Sequence, residues 1–146
     1  MSDAYCHSAS ILIEDSAERV FPFMADGLLQ GRWTLGSWER RELNGENYVC
    51  GTSLLDGKAT FVRLNVDRQR LRVDYDVGRA PEAMQFRNAA RVLPGEAFGY
   101  GENRCIVTLL TWRLATQSDD AWQAVSKVHE AEMYLIRGLV ETAKRV

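Results

Sequence analysis

Two ionisable residues, His129 and Glu132, stand three apart in a stretch whose other residues call for burial. From Asp119 to Arg145, apolar residues recur every three to four positions, the period of an amphipathic helix. At about 100° per residue, Ala121, Val125, Val128, Glu132, Ile136, Leu139 and Ala143 share one stripe, with Trp122, His129, Met133 and Val140 on its flank. Lys127, Glu130, Tyr134 and Glu141 fall on the opposite side. An ionised carboxylate in a dry core is costly unless paired. Glu132 therefore either meets an arginine or a strand hydroxyl, or it looks into a cavity that polar groups can enter. Positions i and i+3 touch on a helix surface, so His129 and Glu132 can act as a pair. In an apolar cavity, desolvation disfavours the charged carboxylate and moves its pKa towards neutrality, the range that suits proton transfer. Glu132 and His129 are thus the candidate catalytic residues. The structural alternative is a paired core glutamate and a histidine bonded to a loop carbonyl.

Such a helix, about 40 Å long at about 1.5 Å per residue, needs a broad surface to cover. The rest of the chain supplies one. Ser8–Ile13 reads as a strand, and Asp15-Ser16-Ala17-Glu18 matches a capping box that opens a first helix. Pro22 keeps that helix short or bent. A second short helix is expected over Leu28–Arg32. Hairpin turns at Asn44-Gly45 and Asp56-Gly57 then punctuate strands over Ser37–Leu43, Tyr48–Leu55 and Thr60–Val66. Alternation continues through Leu71–Val77 and Met84–Val92, and Arg104–Leu114 is the last strand. Ser118 or Asp119 caps the long helix. One short strand, one or two short helices, six antiparallel strands and a long helix make an α+β chain. A twisted sheet with one apolar face, covered by one helix, encloses space wherever the helix does not touch.

The same alternation places Val73, Tyr75, Phe86 and Asn88 on the concave side of the sheet, with Trp112 beside them if Arg113 faces solvent. Trp33 and Trp38 near the short helices, and Met133 and Ile136 on the long helix, complete the candidate ligand-binding set. Asn88 is the informative member, because an amide among Phe86, Ala90 and Val92 needs a partner. A ligand, a water or Glu132 could supply it; the structural alternative is an amide satisfied locally in the core. The glycine-rich stretch Gly95–Gly101 lacks phosphate-loop spacing and is expected as a lip over the cavity.

The sequence has 146 residues, 46% of them hydrophobic and 26% charged, the make-up of one globular domain over residues 1–146. A formal charge of −2 without any block of like charge gives no footprint for nucleic acid or an anionic membrane surface. No run approaches the roughly 20 apolar residues of a membrane span, so no stable membrane insertion is expected. The first ten residues carry no basic segment followed by an apolar run, so no secretory signal is expected and the default compartment is the cytoplasm. Cys6, Cys50 and Cys105 have no C-x-x-C spacing, and with only two histidines, His7 and His129, no metal site is expected. No cofactor motif and no G-x-S-x-G or H-E-x-x-H signature is present.

The chain resembles the START/Bet v 1-like superfamily of polyketide cyclases and lipid-transfer domains. The resemblance runs from about Ser8 to Val140 and is carried by the strand ending in Ile13, the Ala17-Glu18-Arg19-Val20-Phe21 helix start, Asp26, Trp33 and the amphipathic C-terminal helix. It implies a helix-grip fold, a curved seven-stranded antiparallel sheet around the long helix, with an apolar internal cavity. Asp15-Ser16 stands where many members have a proline before the first helix. Members range from carriers to enzymes, so no reaction is implied. The reading favoured is binding of an apolar or aromatic small molecule. The alternatives are a cyclase- or dehydratase-like enzyme using Glu132 or His129, and a protein-interaction module. A homodimer is compatible with each.

Overall fold

A computed structural model of the chain describes residues 4–145. The first three residues of the stretch read for a secretory signal lie outside the described residues.

All seven expected strands form, as β1 (Cys6–Ile13), β2 (Trp38–Glu42), β3 (Val49–Thr52), β4 (Ala59–Asp67), β5 (Arg72–Gly78), β6 (Gln85–Pro94) and β7 (Cys105–Trp112). They make one antiparallel sheet in the order β1-β7-β6-β5-β4-β3-β2. Strands β2 to β7 are neighbours in sequence and in space. The first strand is the exception. It pairs with β7, and the chain then crosses to the opposite edge through helix α1 (Ala17–Met24) and a 3₁₀ turn at Leu29–Arg32.

Helix α1 starts one residue later than its capping box suggests. Ser16 is the cap, its hydroxyl accepting from the Arg19 N–H at 3.3 Å, while the Asp15 carboxylate accepts from the Ser16 N–H. With Pro22 inside it, the helix ends after eight residues. Replacing Ser16 with Ala should cost about 1 kcal/mol of stability, read from the shift in urea midpoint at unchanged m-value. The long helix α2 (Asp119–Arg145) is capped by Ser118, whose hydroxyl accepts from the Ala121 N–H at 3.1 Å.

Helix α2 packs on β1, and α1 lies against β6 and β7. Between them sits the core, in which Ile13, Val20, Met24, Val73, Val92, Val107 and Ile136 are almost completely buried. Burial alternates cleanly along β7, with Cys105, Val107, Leu109 and Thr111 turned inward.

Two irregularities interrupt the pleat. Between Trp38 and Arg41 the pairing of β2 with β3 shifts, and Glu39 adopts a left-handed φ of 52°. In the β5–β6 pair, Tyr75 faces Asn88 but Asp76 faces Phe86, so Arg87 is an extra residue. Each bulge inserts one residue and reverses the side that later residues face.

Candidate functional site

A cavity of about 270 Å³ lies between the sheet and α2. Its apolar wall includes Trp33, Val62, Val77, Leu109, Val125 and Val128. The exposed side chains Leu55 and Arg79 stand at its mouth, and the buried Gln30, Tyr75 and Glu132 form its floor. The lip is therefore the β3–β4 turn. The 94–103 connection expected there does not line the cavity, because Gly95 is packed against the backbone of Arg104 and Gly101.

Glu132 reaches the cavity floor from α2 with almost no solvent exposure. Its Oε2 accepts from the Leu35 backbone N–H at 2.8 Å, in the loop between the 3₁₀ turn and β2. Burial pushes its pKa up to about 8, against the opposing pull of that N–H and of Arg40. At neutral pH the carboxyl is mostly protonated and can donate. His129 Nε2 stands 3.9 Å from Glu132 Oε1. Burial lowers the His129 pKa to about 4, helped by His7, whose ring lies edge-on with centroids 6.3 Å apart. The imidazole is therefore neutral, and the two groups face each other as a neutral acid and a neutral base.

Around them runs a polar network built by the turn before β2. Gln30, completely buried, donates from Nε2 to the Met24 carbonyl at 3.1 Å and to the Tyr75 hydroxyl at 2.7 Å. Its Oε1 accepts from Arg40 Nη1. Arg40 also donates to the Gly27 carbonyl at 3.0 Å and to the Ser37 hydroxyl at 3.1 Å. Burial lowers its pKa to about 10, which leaves it charged at neutral pH. Burial drives the Tyr75 phenol well above its usual range, so it stays a neutral hydroxyl with a proton to donate.

Across the sheet, His7, Thr111, Asn88 and Tyr75 form one row of paired strand positions. The Thr111 hydroxyl donates to Asn88 Oδ1, so the Asn88 oxygen is satisfied locally, from the neighbouring strand. Four lining residues, Trp33, Thr34, Arg87 and His129, each keep one buried nitrogen or oxygen without a hydrogen-bond partner among the described residues. Such atoms are rare in folded interiors; two others, on His7 and Arg91, belong to residues outside the cavity lining.

Of the residues singled out in the sequence, Glu132, His129, Trp33, Tyr75 and Asn88 line the cavity. Val73, Met133 and Ile136 are core residues that do not line it, and Trp38 is half-buried away from it. Phe86 and Trp112 require correction. They are 53% and 37% exposed and pack on each other, ring centroids 5.3 Å apart. The Arg87 bulge turns Phe86 outward with Asp76, and the alternation of β7 puts Thr111, not Trp112, inside. Gln30, Arg40, Arg79, Arg87 and Thr111 are lining residues that sequence pattern did not single out. Two of the arginines sit at the bulges, where alternation stops being a guide. Among the described residues, no three His, Cys, Asp or Glu side chains come together as a metal site requires, and no helix is long and apolar enough to cross a membrane.

No protein-family model matches the sequence, and no curated protein does. Solved structures do match the fold. The protein XoxI from Bacillus cereus is similar with a TM-score of 0.72 at 15% identity, over 99% of each chain. Zhui aromatase/cyclase from a Streptomyces species is similar with a TM-score of 0.68 at 15% identity, over 93% of each chain. A START superfamily protein from Mycobacterium smegmatis gives 0.68 at 10% identity, over 96% of this chain and 99% of that one. At such identities the likeness is one of fold alone. The chain has the START/Bet v 1-like helix-grip fold, a curved seven-stranded antiparallel sheet closed by a long C-terminal helix.

Proposed function

We propose that the cavity between the sheet and α2 binds an apolar or aromatic small molecule. The observation that carries this reading is the cavity itself, a space of about 270 Å³ between the sheet and α2 whose apolar side chains, Trp33, Val62, Val77, Leu109, Val125 and Val128, are joined by polar ones such as Asn88, His129 and Glu132. Apolar burial supplies affinity at roughly 25 cal/mol per Å² before ordering costs, and the polar atoms fix orientation. A volume of about 270 Å³ lies near the small end of ligand cavities, which run from roughly 300 to 1,000 Å³. One or two fused rings suit it better than a long lipid.

Val128 lines the cavity from α2, one residue before His129. Val128→Trp should fill the space and weaken binding of N-phenylnaphthylamine, a neutral fluorescent aromatic, by about tenfold or more, the equivalent of about 1.4 kcal/mol. Fluorescence titration checks this. Equal affinity in a folded Val128→Trp protein would place the ligand elsewhere.

A second reading, an enzyme resembling cyclases and dehydratases, is favoured by the protonated Glu132 beside the neutral His129. In a dehydration, Glu132 would protonate a leaving hydroxyl, which departs as water, while His129 takes the proton from the adjacent carbon. Return of the proton from His129 to Glu132 restores the starting state. Wild-type protein should then convert an aromatic β-hydroxyketone to its enone, followed by absorbance. Glu132→Gln should lose about 10²–10⁴-fold in rate while still binding the neutral probe. An equal rate in both proteins would leave binding alone.

A further inference from the structure

Charge in the cavity runs opposite to charge on the chain. The whole sequence is formally −2, yet the cavity is lined by Arg40, Arg79 and Arg87 and by one acid, Glu132, which burial keeps protonated at neutral pH.

The three arginines are not equivalent. Arg40 is held at the floor by Gln30, Ser37 and the Gly27 carbonyl. Arg79, at the mouth, is held by Asp56 at 2.7 Å and by the Thr60 hydroxyl at 3.1 Å. Arg87 has neither kind of support. It is the extra residue of the β6 bulge, half-buried, its Nε fully buried with no hydrogen-bond partner, and no carboxylate pairs with it among the described residues. Burial lowers its pKa, and the neighbouring positive charge of Arg79 lowers it further. Two guanidiniums thus line one cavity within electrostatic reach of each other, and Asp56, the carboxylate that meets the pair, is bound to Arg79. A half-buried cation facing a like charge is an unfavourable arrangement for the empty protein. An anion entering from the mouth would neutralise the surplus charge and give the Arg87 guanidinium the carboxylate partner it lacks among the described residues. A carboxylate fits best, because its two oxygens match the paired N–H groups along one edge of a guanidinium.

We propose that the cavity selects aromatic or apolar carboxylic acids, the carboxylate held at the mouth by Arg87 with Arg79 beside it while the ring enters among Val62, Val77, Leu109 and Val128. This rests on the reading of the cavity as a small-molecule site and names the class of molecule it takes. The acid would lie with its carboxylate away from Glu132, so its far end meets the Glu132–His129 pair and the Tyr75 hydroxyl.

The test compares naphthoic acid with naphthamide, its neutral counterpart of the same shape, by calorimetric titration at pH 7. Wild-type protein should bind the acid about tenfold more tightly or better, the size of effect expected of a charge-assisted hydrogen bond, and added salt should narrow the gap. Arg87→Gln should abolish the preference, costing the acid about tenfold more affinity than it costs the amide, and Arg87→Lys should keep part of it. Asp56→Asn, which releases Arg79 from its carboxylate, should strengthen acid binding and stands as the independent arm if Arg87→Gln does not fold. Equal affinities for acid and amide in wild type, a preference that survives in folded Arg87→Gln, or no gain in Asp56→Asn would each overturn the carboxylate assignment while leaving the cavity a binding site. Binding of neither compound would overturn both.

Discussion

Replacing Glu132 with Gln should make the protein more stable at pH 8 by about 4 kcal/mol and change it little near pH 4.5. Burial raises the folded-state pKa of Glu132 from the ordinary 4.5 to about 8. Between those values the folded protein holds a proton that the unfolded chain has released, so stability falls as pH rises across that window. At about 1.36 kcal/mol per pH unit, the loss by pH 8 is about 4 kcal/mol. Glutamine keeps an oxygen for the Leu35 N–H and has no charge to desolvate. Its cost is the attraction that ionised Glu132 gives Arg40, which retains its bonds to Gln30, Ser37 and Gly27.

His129 acts in the opposite sense. Burial lowers its pKa from 6.5 to about 4 in the folded state. Its contribution to stability is therefore complete above pH 6.5 and lost as pH falls towards 4. In wild type the two residues offset each other between pH 4.5 and 6.5, and Glu132 alone lowers stability from there to pH 8. Glu132→Gln should instead gain stability up to pH 6.5 and then level off. Urea unfolding at closely spaced pH values distinguishes the two profiles. A variant that still loses stability between pH 6.5 and 8 as wild type does would show that Glu132 is not the group responsible.

Gln30→Leu is expected to act in the reverse direction, lowering stability by about 3–5 kcal/mol. The substitution conserves volume approximately, so packing changes little. What is lost is the hub of the floor network. Gln30 donates to the Met24 carbonyl and the Tyr75 hydroxyl and accepts from Arg40. Leucine leaves a carbonyl, a phenol and a charged guanidinium each short of a partner, at about 1–3 kcal/mol apiece and more for the charge. Some of this is recovered where water reaches them through the cavity. For a chain of this size the melting temperature should fall by about 10 °C. A decrease of less than about 1 kcal/mol would mean that Arg40 and Tyr75 find other partners and that Gln30 is not the organiser of the floor.

Gln30 also marks where sequence reading stops. Leu28–Arg32 reads as a short helix, which it nearly is, but no periodicity in four residues says which one points into the interior. That choice belongs to the crossing from β1 to the far edge of the sheet, which lays the turn over the cavity floor. Arg40 and Arg87 were hidden for a related reason. A polar residue in an alternating strand reads as solvent-facing, and a single inserted residue reverses that assignment. Glu39 has none of the glycine that commonly marks a left-handed bulge, and Arg87 lies in an unbroken alternation of residue types. The same insertion explains why Phe86 seemed to belong inside.

The sequence by itself determined the number and order of the strands along the chain, the length of the closing helix, and the burial of Glu132 next to His129. These follow from local periodicity and turn chemistry, which act over a few residues and leave a pattern wherever they act. Only the tertiary structure decided that Glu132 bonds to the Leu35 backbone, that Asn88 is answered by Thr111, and that three arginines line an apolar cavity in an acidic chain. Each depends on residues far apart in sequence meeting across the sheet, and on two bulges whose one-residue shifts are invisible to composition but settle which way every neighbouring side chain points.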